Sequence, residues 1–201
     1  MTQPPPSNTA SAGDAAQVSR QALRRRLLAD REQFVAGPDA PAAHHALAAH
    51  LARVLREIEP ELLGVYWPLR GEFNAMEGLE AHGLAKLPLP LPCAQRRPPA
   101  MHYRAWNGQV LTSVDECGLP APSDGTWVVP DVVLLPCVGY TRSGFRLGYG
   151  GGYFDRWLAQ HPQATPIGIA WSLGEITDET LVPQPHDRPL MVVVTERGVL
   201  A

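Results

Sequence analysis

The sequence is poor in several features on which whole classes of proteins depend. It has three cysteines, Cys93, Cys117 and Cys137, and none belongs to a Cys-x-x-Cys pair. Neither a disulfide framework nor a zinc knuckle is therefore expected. The formal net charge of −3 gives no general electrostatic attraction for nucleic acid, so we expect no nucleic-acid partner.

Long apolar runs are lacking as well. The most apolar stretch, residues 127–140, is interrupted by Pro130 and Pro136 and is too short to cross a bilayer, so no membrane role is expected. Residues 1–16 do not join a basic segment to an apolar one, as a secretory signal does. With few cysteines besides, these features favour a cytoplasmic location.

The composition is that of a globular protein. Of the 201 residues 45% are hydrophobic and 18% are charged, which allows one sizeable, well-filled core. Residues 1–16 are rich in proline, serine and glycine and predict a flexible tail. Residues 17–201 predict a single domain.

Helical periodicity recurs at several points along the chain. It predicts a first helix from Ser19 to about residue 35, with Leu23 and Leu27 on its apolar face, and a second helix ending before Pro60. Asn74, followed three residues later by Glu77, predicts the N-cap of a short third helix.

Apolar runs after the second helix predict buried strands over residues 62–67, 131–138, 166–171 and 191–195. Because strands alternate with helices, we expect an α/β fold, a three-layer sandwich around a mostly parallel sheet. Asn107-Gly108 is a hairpin signal, and it predicts an added antiparallel hairpin between residues 101–106 and 109–113.

A glycine loop follows the strand predicted over residues 131–138. Four of the five residues 148–152 are glycine, which lets backbone N–H groups crowd around an anion at the start of a helix. The loop lacks the Gly-Lys-Ser/Thr of a P-loop, and Tyr153 stands where a dinucleotide fingerprint has its last glycine. Taken alone, the glycines fit an anion site and a tight turn equally well.

The residues that flank the loop favour a nucleotide. Arg146 can pair with phosphate oxygens, Asp155 can hold Mg²⁺ against them, and Tyr149 and Tyr153 can offer ring faces to a flat ligand. The sequence therefore predicts an ATP site with Mg²⁺.

The run of residues 146–155 is similar to the signature of the 5-formyltetrahydrofolate cyclo-ligases, which is Arg-Leu-Gly, a glycine-rich stretch, two aromatics and Asp. Further matches occur in the same order along residues 19–195, at residues 20–24, 71–73, 130–136 and 186–187. The resemblance implies a NagB/RpiA/CoA-transferase-like fold. It also implies an enzyme, a ligase of folate and one-carbon metabolism that uses ATP and Mg²⁺ to close 5-formyltetrahydrofolate to 5,10-methenyltetrahydrofolate with release of ADP and phosphate.

The resemblance also implies roles for individual residues. Arg146 is the expected catalytic side chain, and Glu72, Tyr149 and Tyr153 are expected to contact the folate. Asp155 and Asp187 are expected to hold Mg²⁺, and His186 to be an orienting or surface residue. ATP is expected to be bound by Arg20, Arg24, Arg146, Gly148, Gly150, Gly151, Gly152 and Asp155.

Several of these residues also fit an interpretation without a functional role. Arg20 and Arg24 also fit a solvated basic helix face, and Glu72 fits an ordinary loop acid. The implied partners are small molecules only, ATP and a reduced folate, with the chain acting as a monomer.

The chain departs from the family pattern at three places. Phe154 replaces a common second Tyr, Ala121 a frequent Glu, and no Gln follows Trp171. Two alternatives therefore remain: an ATP-dependent enzyme that acts on another carbonyl substrate, and a non-catalytic nucleotide- or folate-binding regulator.

Overall fold

The computed structural model describes residues 12–84, 89–184 and 187–200, with side chains from residue 19 onward. The helices of this part of the chain are α1 (Ala12–Val35), α2 (Ala40–Ile58), α3 (Ala75–Ala81) and α4 (Tyr153–Gln160). None of these described helices is both long enough and apolar enough to cross a membrane.

The strands are short, and most of them lie in the middle and last thirds of the chain. In chain order they are β1 (Leu63–Gly64), β2 (Leu91–Arg96), β3 (Pro99–Arg104), β4 (Ser113–Val114), β5 (Pro120–Ala121), β6 (Trp127–Val128), β7 (Val132–Pro136), β8 (Gly139–Tyr140), β9 (Arg146–Leu147), β10 (Thr165–Ile169), β11 (Val192–Thr195) and β12 (Gly198–Leu200).

The central sheet has the strand order β1-β7-β10-β11-β12. Its first four strands are parallel, and β12 is added antiparallel at one edge. Asp131 fixes one end of the sheet, because its carboxylate accepts the backbone N–H groups of Glu61 and Leu62 just before β1. The predicted α/β fold around a mostly parallel sheet is confirmed.

Both faces of this sheet are covered, as β7 illustrates. Alternate residues of a strand point to opposite faces, and Leu134 packs in the cluster that includes α2 and α3, whereas Val133 packs with Trp157 of α4 and Tyr103 of β3. All five residues of β7 are buried, as its continuous apolar run predicts. The result is a three-layer arrangement.

The N-terminal helix is longer than the sequence predicts. It begins at Ala12, seven residues before Ser19, so residues 12–16 of the predicted tail belong to α1, and residues 1–11 lie outside the described residues. Alanine is the best helix former, and the run at 15–16 is compatible with this earlier start. The predicted cap of α3 is confirmed, because the Asn74 side chain accepts the Glu77 N–H at 3.4 Å.

The predicted hairpin around Asn107-Gly108 is wrong in its pairing. Strand β3 instead pairs antiparallel with β2 across a turn at Arg97-Pro98, and its other edge pairs with β6. The local turn does form, since the Asn107 carboxamide accepts the Gln109 N–H at 3.0 Å. The residues that follow it pair with no part of β3, and Val110 is exposed.

Helix α1 lies beyond the carboxyl ends of the parallel strands. Its Leu23, Leu27 and Leu28 pack in a separate cluster with Val138 and Leu147, which follow β7 in the chain. This contact brings α1 to the edge of an open α/β sheet where ligands commonly bind.

Candidate active site

A cavity of about 650 Å³ opens at this edge of the sheet, a size typical of small-molecule sites. Pro136 ends β7 there, and Tyr66 and Trp67 follow β1. The cavity brings together all the described residues for which the sequence predicts a site role: Arg20, Arg24, Glu72, Arg146, Gly148, Tyr149, Gly150, Gly151, Gly152, Tyr153, Asp155 and Asp187.

The glycine loop, residues 148–152, forms one wall of the cavity and runs directly into α4. Gly150 has a φ of +93°, a conformation that side chains disfavour, and a Cβ there would lie 3.3 Å from the Arg24 guanidinium. A Cβ on Gly148 would come within 2.6 Å of Arg146. The absence of side chains thus lets two arginines lie against the loop backbone.

Arg24 and Arg20 extend from α1 toward this wall. Arg24 donates through Nε to the Gly148 carbonyl at 2.6 Å, while Arg20 donates to Asp187 at 2.8 Å and to the Val182 carbonyl. Burial, with the nearby charge of Arg20 as a second cause, lowers the pKa of Arg24. Both side chains line the cavity, which contradicts the interpretation of a merely solvated helix face.

Arg146 is buried at the base of the loop. Its guanidinium donates to Asp155 at 3.0 Å and lies 5.6 Å from the centre of the Phe154 ring. The Nε atom of Arg146 has no hydrogen-bond partner among the described residues, although it is fully buried. A buried cation with unused donor capacity beside a glycine loop is well suited to an anionic ligand.

Asp155 and Asp187, the predicted Mg²⁺ ligands, line the same cavity. Each is ion-paired with an arginine, Asp155 with Arg146 and Asp187 with Arg20. Within the described ranges no three His, Cys, Asp or Glu side chains form a metal-binding group. Two carboxylates suit a Mg²⁺ ion that takes its other ligands from phosphate and water. His186 lies outside the described residues.

Glu72 lies in the loop after β1, and its side chain is only 4% exposed. One carboxylate oxygen accepts the Leu69 N–H at 2.8 Å, while Oε1 has no hydrogen-bond partner in the described part of the chain. Burial raises the pKa of Glu72, opposed by hydrogen bonds from the Leu69 N–H and the Tyr149 hydroxyl and by the charge of Arg31. This burial separates Glu72 from an ordinary solvated loop acid.

Tyr149 and Tyr153 are held by different partners. The Tyr149 hydroxyl accepts a hydrogen bond from Arg31, and burial, followed by the charge of Glu72, raises the pKa of Tyr149 to about 12. Tyr153 bonds to the Cys117 thiol at 3.2 Å. Asp115 positions that thiol, because its carboxylate accepts the N–H groups of Cys117 and Leu119.

The three departures from the family pattern have different environments. Ala121 is buried in β5, and the Phe154 ring packs under Arg146. After Trp171, the Ser172 side chain bonds to Glu196.

Arg31 is the main residue of this region that the sequence predictions omit. It is 3% exposed and bonds to the Arg70 carbonyl as well as to Tyr149. A helix turns 100° per residue, so Arg20, Arg24 and Arg31 fall within about 40° of one another on α1. That spacing of four and seven residues was the signal that could have identified Arg31.

The chain is similar to known proteins of one family. Residues 16–196 match the model of the 5-formyltetrahydrofolate cyclo-ligase family. A 5-formyltetrahydrofolate cyclo-ligase of Mycolicibacterium smegmatis is 34% identical over 118 residues, which cover 58% of this chain and 57% of the relative. The chain thus spans little more than half the length of that relative.

Two solved structures share the fold. A 5,10-methenyltetrahydrofolate synthetase from Mycoplasma pneumoniae superposes with a TM-score of 0.68 at 20% identity, covering 88% of this chain and 98% of that one. The corresponding protein of Aquifex aeolicus gives a TM-score of 0.69 at 24% identity, covering 90% and 91%. At these identities the similarity establishes the fold.

Proposed function

Because the chain belongs to the 5-formyltetrahydrofolate cyclo-ligase family, we propose that it converts 5-formyltetrahydrofolate to 5,10-methenyltetrahydrofolate, using ATP and Mg²⁺ and releasing ADP and phosphate. One observation carries this assignment beyond the family. A single cavity contains both the glycine loop with Arg24 and Arg146 and the buried acid Glu72 with aromatic neighbours. The two sets of residues suit a polyphosphate and a flat, N–H-rich ring respectively.

The chemistry of the substrate explains why ATP is required. The formyl group on N5 is amide-like, so its oxygen is a poor leaving group and attack by N10 alone would stall. In the proposed reaction that oxygen attacks the γ-phosphorus of ATP and ADP departs, which leaves an N5-iminium phosphate. N10 then attacks the iminium carbon and loses its proton, and the C–O bond breaks to release phosphate. No nucleophile from the protein is needed.

The protein's part is to hold the two substrates in line and to stabilise charge. Arg146 lines the cavity, and its guanidinium would donate to the transferring phosphoryl group. Arg20 and Arg24 would bind the remaining phosphates, and the backbone of Gly148 and Gly150–Gly152 would follow their oxygens.

Asp155 and Asp187 are the residues that would hold Mg²⁺. Both are carboxylates on the cavity wall, which fits the preference of this ion for oxygen ligands. When bound, the ion neutralises phosphate charge. Asp155 and Asp187 would then exchange their arginine partners for it, which frees Arg146 and Arg20 for phosphate oxygens.

Glu72 would recognise the folate. An ionised carboxylate can accept paired hydrogen bonds from the amino and ring N–H groups of a pterin, and Glu72 Oε1 has no hydrogen-bond partner among the described residues. Tyr149 and Tyr153, which also line the cavity, would contact the ring system. The chain is further proposed to act as a monomer in the cytoplasm.

We expect the affinity for 5-formyltetrahydrofolate to fall at a higher pH than an ordinary glutamate would give. Burial raises the pKa of Glu72, and the ionised carboxylate is the form that accepts the pterin N–H groups. Affinity is therefore full above this raised pKa and is lost as the pH falls through it. Calorimetric titrations from neutral to mildly acidic pH measure this loss of affinity, which is the acid limb of the pH profile. It should be missing in Glu72→Gln, and a wild-type affinity that stays constant down to the ordinary glutamate pKa would contradict the role.

The experiment that tests the proposed function is ADP formation by the purified chain. We expect ADP to appear only when 5-formyltetrahydrofolate, ATP and Mg²⁺ are all present, and to stop when a chelator removes the metal. Formation of ADP at the same rate without the folate, or undiminished by the chelator, would contradict the function as stated.

One observation keeps a second candidate open. Ala121 stands where the family pattern often has Glu, and no Gln follows Trp171, so two polar side chains that could contact the second substrate are missing. A related enzyme that activates another carbonyl compound would bind ATP and Mg²⁺ here but give no ADP with 5-formyltetrahydrofolate. A non-catalytic regulator would give none with any substrate, although Arg146 and Asp155 are both retained.

A further inference from the structure

Helix α1 carries a third arginine, Arg31, that faces the cavity region but does not line the cavity. Its guanidinium contacts three groups that belong to two loops, the loop after β1 and the glycine loop. Nε donates to the Arg70 carbonyl at 3.0 Å, one terminal nitrogen donates to the Tyr149 hydroxyl, and the other lies 3.8 Å from Glu72 Oε1. Arg31 therefore sits behind the two side chains that would contact the folate.

These contacts are well shielded from water. The side chains of Arg31 and Glu72 are each 4% exposed, so their attraction is screened far less than that of a surface pair. Arg31 also lies 5.8 Å from the centre of the Tyr149 ring. One buried side chain thus connects the glycine loop, through Tyr149, to the loop that carries Glu72.

We propose that Arg31 is a positioning residue that sets the affinity for the reduced folate by holding Tyr149 of the glycine loop and the ionised carboxylate of Glu72 in place. The inference rests on the proposed function, because it assigns the role to the folate side of that site. Arg31 acts through its two partners and needs no contact with either substrate.

The surroundings of Glu72 make the contribution of Arg31 measurable. Three further titratable groups face this carboxylate: Tyr66 after β1, Tyr149 of the glycine loop and Cys137 after β7. Burial raises the pKa of each of them above its ordinary value. They are therefore uncharged at neutral pH, whereas Arg31 is positive. Removing Arg31 should make Glu72 harder to ionise.

The test measures the Kd of 5-formyltetrahydrofolate for the full chain without ATP, as a function of pH. Arg31→Met should weaken binding about tenfold or more and move the acid limb upward by about one pH unit, the usual effect of losing a nearby opposite charge. Arg31→Lys, which keeps the charge but not the planar fork, should weaken binding with a smaller shift of the limb. Arg26→Met, on the exposed side of the same helix, is the matched control and should leave both unchanged.

Two further variants separate positioning from general damage. Glu72→Gln should show no acid limb, and adding Arg31→Lys to it should create none. Tyr149→Phe and Arg31→Lys should each weaken binding but together cost less than the sum, since they break the same hydrogen bond. Thermal unfolding and ATP affinity show whether Arg31→Met is folded. If it is not, these two comparisons still test the positioning role of Arg31.

If the Arg31 variants had the same folate affinity and the same acid limb as Arg26→Met, this inference would be overturned while the proposed function would stand. Strictly additive losses of affinity in Tyr149→Phe and Arg31→Lys would overturn it in the same way. If the wild-type chain binds no 5-formyltetrahydrofolate, the proposed function falls and this inference with it. The two failures are therefore distinguishable in one data set.

Discussion

Replacing Arg146 with alanine should lower turnover about a thousandfold, the scale reached when a donor to a transition-state oxyanion is removed. Arg146 is 8% exposed, lies at the base of the glycine loop, and has an Nε without a hydrogen-bond partner among the described residues. A thousandfold loss corresponds to about 4 kcal/mol of transition-state stabilisation. Single-turnover rates at saturating ATP and folate measure it.

The loss of folding stability should be much smaller than the loss of rate. The variant gives up one ion pair with Asp155, which is 17% exposed and can be solvated, so we expect the free energy of unfolding to fall by about 1–3 kcal/mol. Arg146→Lys should keep part of the rate, because it keeps the charge without the fork. Arg142→Ala is the matched control, since that side chain is 74% exposed. Full activity of Arg146→Ala at saturating ATP would remove Arg146 from the catalytic machinery.

Glu72→Gln should weaken the binding of 5-formyltetrahydrofolate about a hundredfold and leave the affinity for ATP nearly unchanged. The substitution keeps the shape of the side chain but removes the charge, and an amide presents one acceptor atom where the carboxylate presents two. Loss of one member of a buried, hydrogen-bonded charge pair costs about 2–5 kcal/mol, which covers an effect of this size.

Calorimetric titration with each ligand separately distinguishes a local effect from a folding defect. Glu57→Gln on the exposed side of α2 serves as the control. Equal losses of ATP and folate affinity in Glu72→Gln would indicate general damage to the cavity, and unchanged folate affinity would mean that another group recognises the pterin.

Much of the fold could be predicted because its signals are local. The continuous apolar run of β7, the Asn74 cap of α3 and the strand–loop–helix order around the glycine loop each depend on neighbours in sequence. The candidate site was predictable for the same reason, since Arg146 and Asp155 flank the glycines and are only nine residues apart.

The failures came where pairing is decided over longer distances. The turn at Asn107-Gly108 forms, but β3 is already paired on both edges, with β2 and β6, so the strength of a local turn did not decide its partner. The spacing of Arg31 from Arg20 and Arg24 places it on the same face of α1, but its role depends on contacts with residues 39 and 118 positions away, which the helix pattern does not identify.

The cyclo-ligase function is tested most directly by measuring the ultraviolet absorbance of the product formed by the wild-type chain. The methenyl product absorbs in the near ultraviolet, where 5-formyltetrahydrofolate does not. With 5-formyltetrahydrofolate, ATP and Mg²⁺ in the cuvette, this absorbance should rise, and ADP should form in an amount equal to the methenyl product. A chain that binds both ATP and the folate but gives no rise in absorbance would contradict the cyclo-ligase function.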